Sequence, residues 1–231
     1  MPKLPFFMIT GFLGSGKTTL LKNLLHHYSG SFKIGILQNE FGPSGIDSID
    51  LMQTGLPYAM LEINNGSVFC VCLLGDFMQS LAAFIDEKQP DIIVLETSGL
   101  SDPIAIAQLL QMPPLKDKLY LAHVWCVIDC YHFHRIAIAE RQAMRQVMVA
   151  DTVILNKTDR VVEDTASVAK KIREWNSQAG IVEAQYCRIG FENVLLPYRI
   201  QPCNQISGGG WFEAASDNPR IIGRISRKKI F

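Results

Sequence analysis

The fold is decided by the stretch Gly11-Phe12-Leu13-Gly14-Ser15-Gly16-Lys17-Thr18-Thr19, which matches the pattern G-x-x-x-x-G-K-[ST] at every position. The apolar run Phe6-Phe7-Met8-Ile9 precedes it, and a helix-forming run from Leu20 to Leu25 follows. A phosphate-binding loop requires this order of strand, loop and helix. Its glycines let successive backbone N–H groups face one concavity at the positive end of a helix. The sequence therefore predicts a nucleotide-binding site.

Two side chains of this loop have predicted chemical roles. Lys17 would reach the β- and γ-phosphates, and the Thr18 hydroxyl would bind Mg²⁺. The alternative, a glycine turn that happens to precede a helix, does not explain the strand in front of the loop. We expect the nucleotide to contact Gly11, Gly14, Ser15, Gly16, Lys17, Thr18 and Thr19.

Composition excludes several classes of protein. The chain has 231 residues with 22 basic and 22 acidic side chains, so no net charge directs it to nucleic acid or to an anionic membrane. No apolar run approaches the ~20 residues that span a bilayer. Met1-Pro2-Lys3 leads directly into the first strand, so we expect no signal peptide. The six cysteines are spread along the chain, which favours a reducing cytoplasm.

Strand and helix signals alternate along the chain. This alternation with apolar strands predicts the α/β class, a P-loop NTPase whose mainly parallel sheet is covered by helices on both faces. Helices are expected to begin at Asp76, which has a capping side chain, and at Ser101-Asp102-Pro103, where proline follows the cap. We expect a GTPase domain over residues 1–200. Residues 201–231 would form a flexible C-terminal tail or the remnant of a C-terminal domain.

Asn156-Lys157-Thr158-Asp159 matches N-K-x-D and follows a late apolar strand. The Asp159 carboxylate can accept two hydrogen bonds from guanine, and adenine offers it no such pair, so GTP is favoured over ATP. Asn156 would connect this loop to the base and to the phosphate loop. The stem of Lys157 would cover the plane of the base.

Glu96-Thr97-Ser98-Gly99 ends another apolar strand and has the form of a loop that senses the γ-phosphate. The Gly99 N–H can approach that phosphate, and Glu96 can hold Mg²⁺ directly or through water. Leu100 follows Gly99, so no glutamine stands there to orient the attacking water. We therefore expect slow intrinsic hydrolysis that a partner or dimerisation accelerates.

Five motifs stand along the chain in this order: G-F-L-G-S-G-K-T-T, N-E-F-G-x-x-G-I-D from Asn39, N-G at Asn65, E-T-x-G-L-x-D-P from Glu96, and N-K-T-D. Taken together they resemble the CobW-like GTPases, metallochaperone-type P-loop proteins related to the GTPases that insert nickel into urease and hydrogenase. The resemblance covers about Leu4 to Leu196. It implies GTP hydrolysis coupled to zinc or cobalt handling or to cobalamin metabolism, a client metalloprotein or corrinoid-dependent protein, and pairing of two copies across their nucleotide faces.

The chain departs from this family at the metal motif. The family has C-x-C-C directly after N-G, and here Ser67-Val68-Phe69-Cys70 stands there, with an additional Cys72. Two thiolates in this spacing can reach one soft cation such as zinc or cobalt, although a tetrahedral site needs about four ligands. Glu40 is a candidate third ligand, and also a candidate ligand of Mg²⁺ beside Thr18 and Glu96. The alternative is that both cysteines pack inward as small apolar residues.

A second candidate metal site lies after the strand that precedes Cys130. Cys130, His132 and His134 bring metal-ligand types together after a strand, unless Cys130 is simply buried.

A GTP-binding and GTP-hydrolysing accessory protein for metal or cobalamin-cofactor maturation is the leading hypothesis. The alternative is a nucleotide-gated protein-binding chaperone that handles no transition metal. A small-molecule kinase is disfavoured by N-K-T-D.

Overall fold

The computed structural model describes residues 3–39, 58–63, 71–99, 101–133, 140–160 and 165–191. Within these ranges the chain forms seven strands and five α-helices. Some predicted features lie outside the described residues: Glu40, Cys70, Leu100, His134 and the tail over 201–231.

Every strand pairing in the described part of the chain is parallel, which confirms the predicted sheet class. The seven strands form one sheet in the order β3-β2-β4-β1-β5-β6-β7. The strand that precedes the phosphate loop, β1, therefore lies at the centre of the sheet. The strands are β1 (Leu4–Gly11), β2 (Ile34–Asn39), β3 (Ala59–Ile63), β4 (Ile92–Glu96), β5 (Leu119–Asp129), β6 (Thr152–Asn156) and β7 (Gly180–Glu183).

Helices cover both faces of the sheet, as predicted. Side chains of β1 alternate between the faces: Phe7 and Ile9 pack in the same cluster as α1, and Phe6 and Met8 pack with α2 and α3. Burial on both sides explains why the strands are apolar at nearly every position. The helices are α1 (Lys17–Tyr28), α2 (Val71–Lys88), α3 (Pro103–Leu109), α4 (Glu140–Val149) and α5 (Ala166–Trp175).

The predicted start of α2 is wrong, and that of α3 is confirmed. Helix α2 begins at Val71, before Asp76, so the exposed Asp76 lies inside the helix and does not cap it. Leucine is a strong helix former, and Leu73 and Leu74 lie in the segment between Val71 and Asp76. Their helix propensity outweighs the preference of aspartate for a capping position. At α3 the Asp102 side chain accepts a hydrogen bond from the Ile104 N–H at 3.0 Å, with Pro103 at the first helical position.

The carboxyl ends of the strands meet at one edge of the sheet, where ligands bind in folds of this type. β1 leads into the phosphate loop, β4 ends at Glu96, β5 at Asp129 and β6 at Asn156. No helix in the described ranges has the length and apolar character needed to cross a membrane. The fold therefore brings the predicted nucleotide loops to one edge.

Candidate functional site

The phosphate loop connects β1 to α1 and requires glycine at the position just before α1. Gly16 has φ of 113°, and a Cβ atom there would lie 2.5 Å from Asn156 Nδ2 and 3.0 Å from Cys187 Sγ. Among the described residues no side chain caps the N-terminus of α1, which begins at Lys17. The first N–H groups of α1 are thus available to an anion. This geometry fits a phosphate group.

Lys17, Thr18 and Glu96 bring one cation and two oxygen ligands to this loop. Lys17 is buried, and its Nζ donates to the Phe12 carbonyl oxygen at 3.1 Å. Thr18 Oγ1 donates to Glu96 Oε1 at 2.7 Å, and Glu96 is buried at the end of β4. A hydroxyl and a carboxylate are oxygen ligands of the kind that Mg²⁺ prefers. The residues present fit a triphosphate with Mg²⁺.

The predicted guanine loop is hydrogen-bonded directly to the phosphate loop. Asn156 is buried, and its Nδ2 donates to the Ser15 carbonyl oxygen at 2.8 Å. Lys157 Nζ donates to the Gly14 carbonyl oxygen at 2.7 Å. Lys157 also has φ of 63°, a left-handed conformation that is uncommon for a residue other than glycine and that concentrates at functional sites. The two loops form one continuous surface.

Asp129, at the end of β5, fixes the position of Lys157. Its Oδ2 lies 2.7 Å from Lys157 Nζ and 2.9 Å from His132 Nδ1. Burial alone would raise the pKa of this carboxyl, but the hydrogen bonds from Lys157 and His132 outweigh burial and lower it. Asp129 is therefore ionised at neutral pH and holds the ammonium group beside Gly14.

The remaining predicted site residues are placed as follows. Asp159 is exposed in a short 3-10 helix (Thr158–Arg160) just beyond β6. Gly99 lies against the phosphate loop, because a Cβ there would come 2.6 Å from the Leu13 nitrogen. Of the predicted metal ligands, Glu40 and Cys70 lie outside the described residues, and only the backbone of Cys72, within α2, is described.

Three polar residues at this edge were not predicted: Asp129, Gln146 and Cys187. Asp129 ends an apolar strand, as Glu96 and Asn156 do, so its position in the sequence could have indicated it. The Cys187 N–H donates to Asn156 Oδ1 at 2.9 Å and its Sγ lies 3.3 Å from the Gly16 carbonyl oxygen, which no local motif signals. Gln146 Nε2 donates to the Gly99 carbonyl oxygen at 3.0 Å.

The second cluster of metal-ligand types, at Cys130, does not form a metal site in the described structure. Cys130 is buried, and burial raises the pKa of its thiol to about 12. His132 directs Nδ1 to Asp129. No group of three or more His, Cys, Asp or Glu side chains within the described ranges could hold a metal ion. The burial of Cys130 agrees with the alternative, and His134 lies outside the described residues.

Comparison with known proteins decides the family. The model of the CobW/HypB/UreG nucleotide-binding domain matches residues 5–183, which span the phosphate loop, Glu96 and the N-K-T-D loop. The chain belongs to the CobW/HypB/UreG family. The resemblance predicted from the motifs is thereby confirmed.

Two curated relatives and one solved structure illustrate the likeness. Zinc chaperone YeiR from Escherichia coli is 31% identical over 201 residues, covering 83% of this chain and 58% of that protein. Zinc-regulated GTPase metalloprotein activator 1 from Schizosaccharomyces pombe is 33% identical over 193 residues, covering 80% and 46%. The crystal structure of Zn(II)-bound YjiA GTPase from E. coli superimposes with a TM-score of 0.59 at 25% identity, covering 78% and 57%. The chain thus spans about half the length of these curated relatives.

Proposed function

We propose that this chain binds GTP with Mg²⁺ and hydrolyses GTP in order to handle a metal for a client protein. The observation that carries the proposal is the joining of the two loops, through Asn156 to Ser15 at 2.8 Å and Lys157 to Gly14 at 2.7 Å. A nucleotide along this surface would have its phosphates at α1 and its base beside the N-K-T-D loop. That loop favours guanine, and the relatives named as GTPases support the same activity.

In the proposed mechanism, Mg²⁺ bound with GTP supplies part of the charge neutralisation at the transferred phosphoryl group. Lys17 places a second cation at the β- and γ-oxygens. Thr18 and Glu96 would hold the metal, and the Gly99 N–H would donate to the γ-phosphate. Since Leu100 follows Gly99, where no glutamine stands to orient the attacking water, the chain supplies little help to that water, and hydrolysis is slow until a partner contributes.

Phosphate release from GTP and from ATP with Mg²⁺ tests this function. We expect a GTP turnover on the order of 10⁻³ s⁻¹, similar to other GTPases without an activating partner. Phosphate release from ATP with none from GTP would contradict the proposal. Rapid turnover by the isolated monomer would contradict the expected dependence on a partner.

The proposed cargo is zinc, because the relatives YeiR and CobW are named zinc chaperones. Cobalt and a corrinoid-dependent client remain the second choice within this proposal. Pairing of two copies and a cytoplasmic location belong to it as well. A GTPase domain over residues 1–200 with a tail over 201–231 stays a prediction. The second candidate function, a nucleotide-gated chaperone without a transition metal, is favoured by Ser67-Val68-Phe69 in the place of the family's first cysteines.

Replacing Cys70 and Cys72 with serine should remove bound zinc if the first candidate function is right. Thiolates are strong zinc ligands, and serine hydroxyls are not. We expect zinc in the unaltered protein, purified without chelator and held with GTP, and a loss of most of it in the double variant, by elemental analysis. Cys203→Ser is the matched control and should keep its zinc. Equal absence of metal from all three proteins would favour the second candidate.

Replacing Asp129 with asparagine should lower the affinities for GDP and for GTP by the same factor, roughly tenfold, since one charge-assisted hydrogen bond to Lys157 is lost. The factor is shared because Lys157 would contact the base, which both nucleotides contain. Titration calorimetry measures both affinities. Asp86→Asn, which removes an exposed ion pair with Lys118, is the control and should change neither. Loss of GTP affinity alone would show that Asp129 acts elsewhere.

A further inference from the structure

Helix α4 contacts the segment between β4 and α3 through three side chains on one face. We call the described residues of this segment, 97–99 and 101–102, the switch loop. Positions 142, 145 and 146 are three and four residues apart, so they share a side of the helix. Each reaches a different residue of the switch loop. The contacts are Gln142 Nε2 to Ser101 O at 2.8 Å, Arg145 to Asp102 Oδ2, and Gln146 Nε2 to Gly99 O at 3.0 Å.

Gly99 is confined between Gln146 and the phosphate loop. On the phosphate side, a Cβ on Gly99 would lie 2.6 Å from the Leu13 nitrogen and 3.2 Å from the Phe12 carbonyl carbon. The loop is fixed at its start as well, because the Thr97 N–H donates to the Ile9 carbonyl oxygen at 3.0 Å. The orientation of Gly99 toward the phosphate loop is therefore set from the side of α4.

Gln146 lowers the stability of the fold at this position relative to an apolar residue. Its side chain is fully buried, and its Oε1 has no hydrogen-bond partner among the described residues. A buried acceptor left without a donor costs roughly 1–3 kcal/mol, so an apolar residue would serve packing better. Nε2 holds the Gly99 carbonyl, and Oε1 is free to accept from a backbone N–H when the loop adopts another arrangement. A side chain with one satisfied donor, Nε2, and one unsatisfied acceptor, Oε1, can exchange hydrogen-bond partners when the bound nucleotide changes.

We propose that Gln146 is a positioning residue that orients Gly99 toward the γ-phosphate, and that α4 thereby responds to whether GTP or GDP is bound. The inference rests on the proposed function, since it needs a γ-phosphate beside Gly99. GDP lacks that phosphate, so orientation of Gly99 raises the affinity for GTP and leaves the affinity for GDP unchanged. Because coupling is reciprocal, binding of GTP stabilises the contact between α4 and Gly99 by the same amount.

The ratio of the affinities for GTPγS and GDP tests the positioning role. In Gln146→Leu, which keeps the side-chain size, we expect GTPγS to bind roughly fivefold more weakly and GDP to bind as before. Gln108→Leu makes the same chemical change on the exposed side of α3 and should leave the ratio unaltered. A purely structural role for Gln146 would lower both affinities together. An equal fall in both, or no fall in either, overturns the inference.

A second measurement needs no variant. Amide hydrogen exchange of the unaltered protein should be slower in α4 with GTPγS than with GDP, and equal exchange in the two states overturns the inference. The outcome is distinguishable from failure of the proposed function. If the unaltered protein binds neither nucleotide, the GTPase proposal is wrong. If it binds both and neither α4 nor the affinity ratio responds, only the role of Gln146 is wrong.

Discussion

Replacing Lys17 with alanine should lower the single-turnover rate of GTP hydrolysis by roughly 100- to 1,000-fold, the loss observed when one preorganised donor to a transition state is removed. Lys17 is buried at the first position of α1, where a positive charge is screened less by water than at the surface. Its Nζ lies 3.1 Å from the Phe12 carbonyl oxygen, so the group is already at the phosphate loop. Phosphate release measured with the protein in saturating excess over GTP gives the single-turnover rate.

Lys22→Ala is the matched control for this experiment. Lys22 lies on the same helix, and its loss changes the net charge by the same amount. It should keep the hydrolysis rate within about twofold, because Lys22 lies five positions beyond Lys17, more than one helical turn from the phosphate loop, and is not among the residues predicted to contact the phosphates. If both variants lose activity equally, the effect comes from α1 stability and not from the ammonium group of Lys17. If neither loses activity, the phosphate loop does not bind the nucleotide.

The class of fold could be predicted because its cause is local. A strand buried on both faces is apolar throughout, and a phosphate loop fixes where one strand ends and one helix begins. The helix-forming run from Leu20 to Leu25, predicted to follow the phosphate loop, lies within α1 (Lys17–Tyr28). The start of α2 was wrong because a capping preference at Asp76 competes with strong helix formers ahead of it. Such competition is decided by sums over several residues and not by one side chain.

The candidate site was predicted unevenly for a similar reason. Motifs indicated Lys17, Thr18, Glu96 and the N-K-T-D loop, because each motif is contiguous. Gln146 and Gly99 are 47 positions apart. Nothing in the sequence near Gln146 separates it from other polar residues of an amphipathic helix. Contacts between distant residues of ordinary type depend on how helices pack, and only the folded structure shows them.

The phosphate loop is the common partner of the other parts of the site. Asn156 and Lys157 donate to two of its carbonyl oxygens, Thr18 at its end donates to Glu96, and Gly99 packs against it. A substitution at Asn156 or Lys157 would therefore disturb the phosphates and the base together. Asp159 is exposed. A change there tests recognition of the base with the least disturbance of the phosphate loop.

Replacing Asp159 with asparagine should change the preferred base from guanine to xanthine. The carboxylate would accept hydrogen bonds from the guanine N1–H and exocyclic amine, and an amide presents a donor where the carboxylate presented an acceptor. A site built for such hydrogen bonds rejects a base that cannot make them by large factors, so we expect GTP to bind about 100-fold more weakly or worse. Xanthosine triphosphate should become the tighter ligand. Competition by both triphosphates against a fluorescent GDP analogue measures the change.

Asp117→Asn is the control, because Asp117 is exposed in the segment before β5, away from the carboxyl ends of the strands. It should keep the preference for GTP. The hydrolysis rate with xanthosine triphosphate in Asp159→Asn should approach that of the unaltered protein with GTP, since Lys17, Thr18 and Glu96 are unchanged. Weaker binding of both triphosphates without a switch would mean that Asp159 stabilises the loop and does not read the base. A switch with restored hydrolysis would show that base recognition and phosphoryl transfer are separable parts of one site.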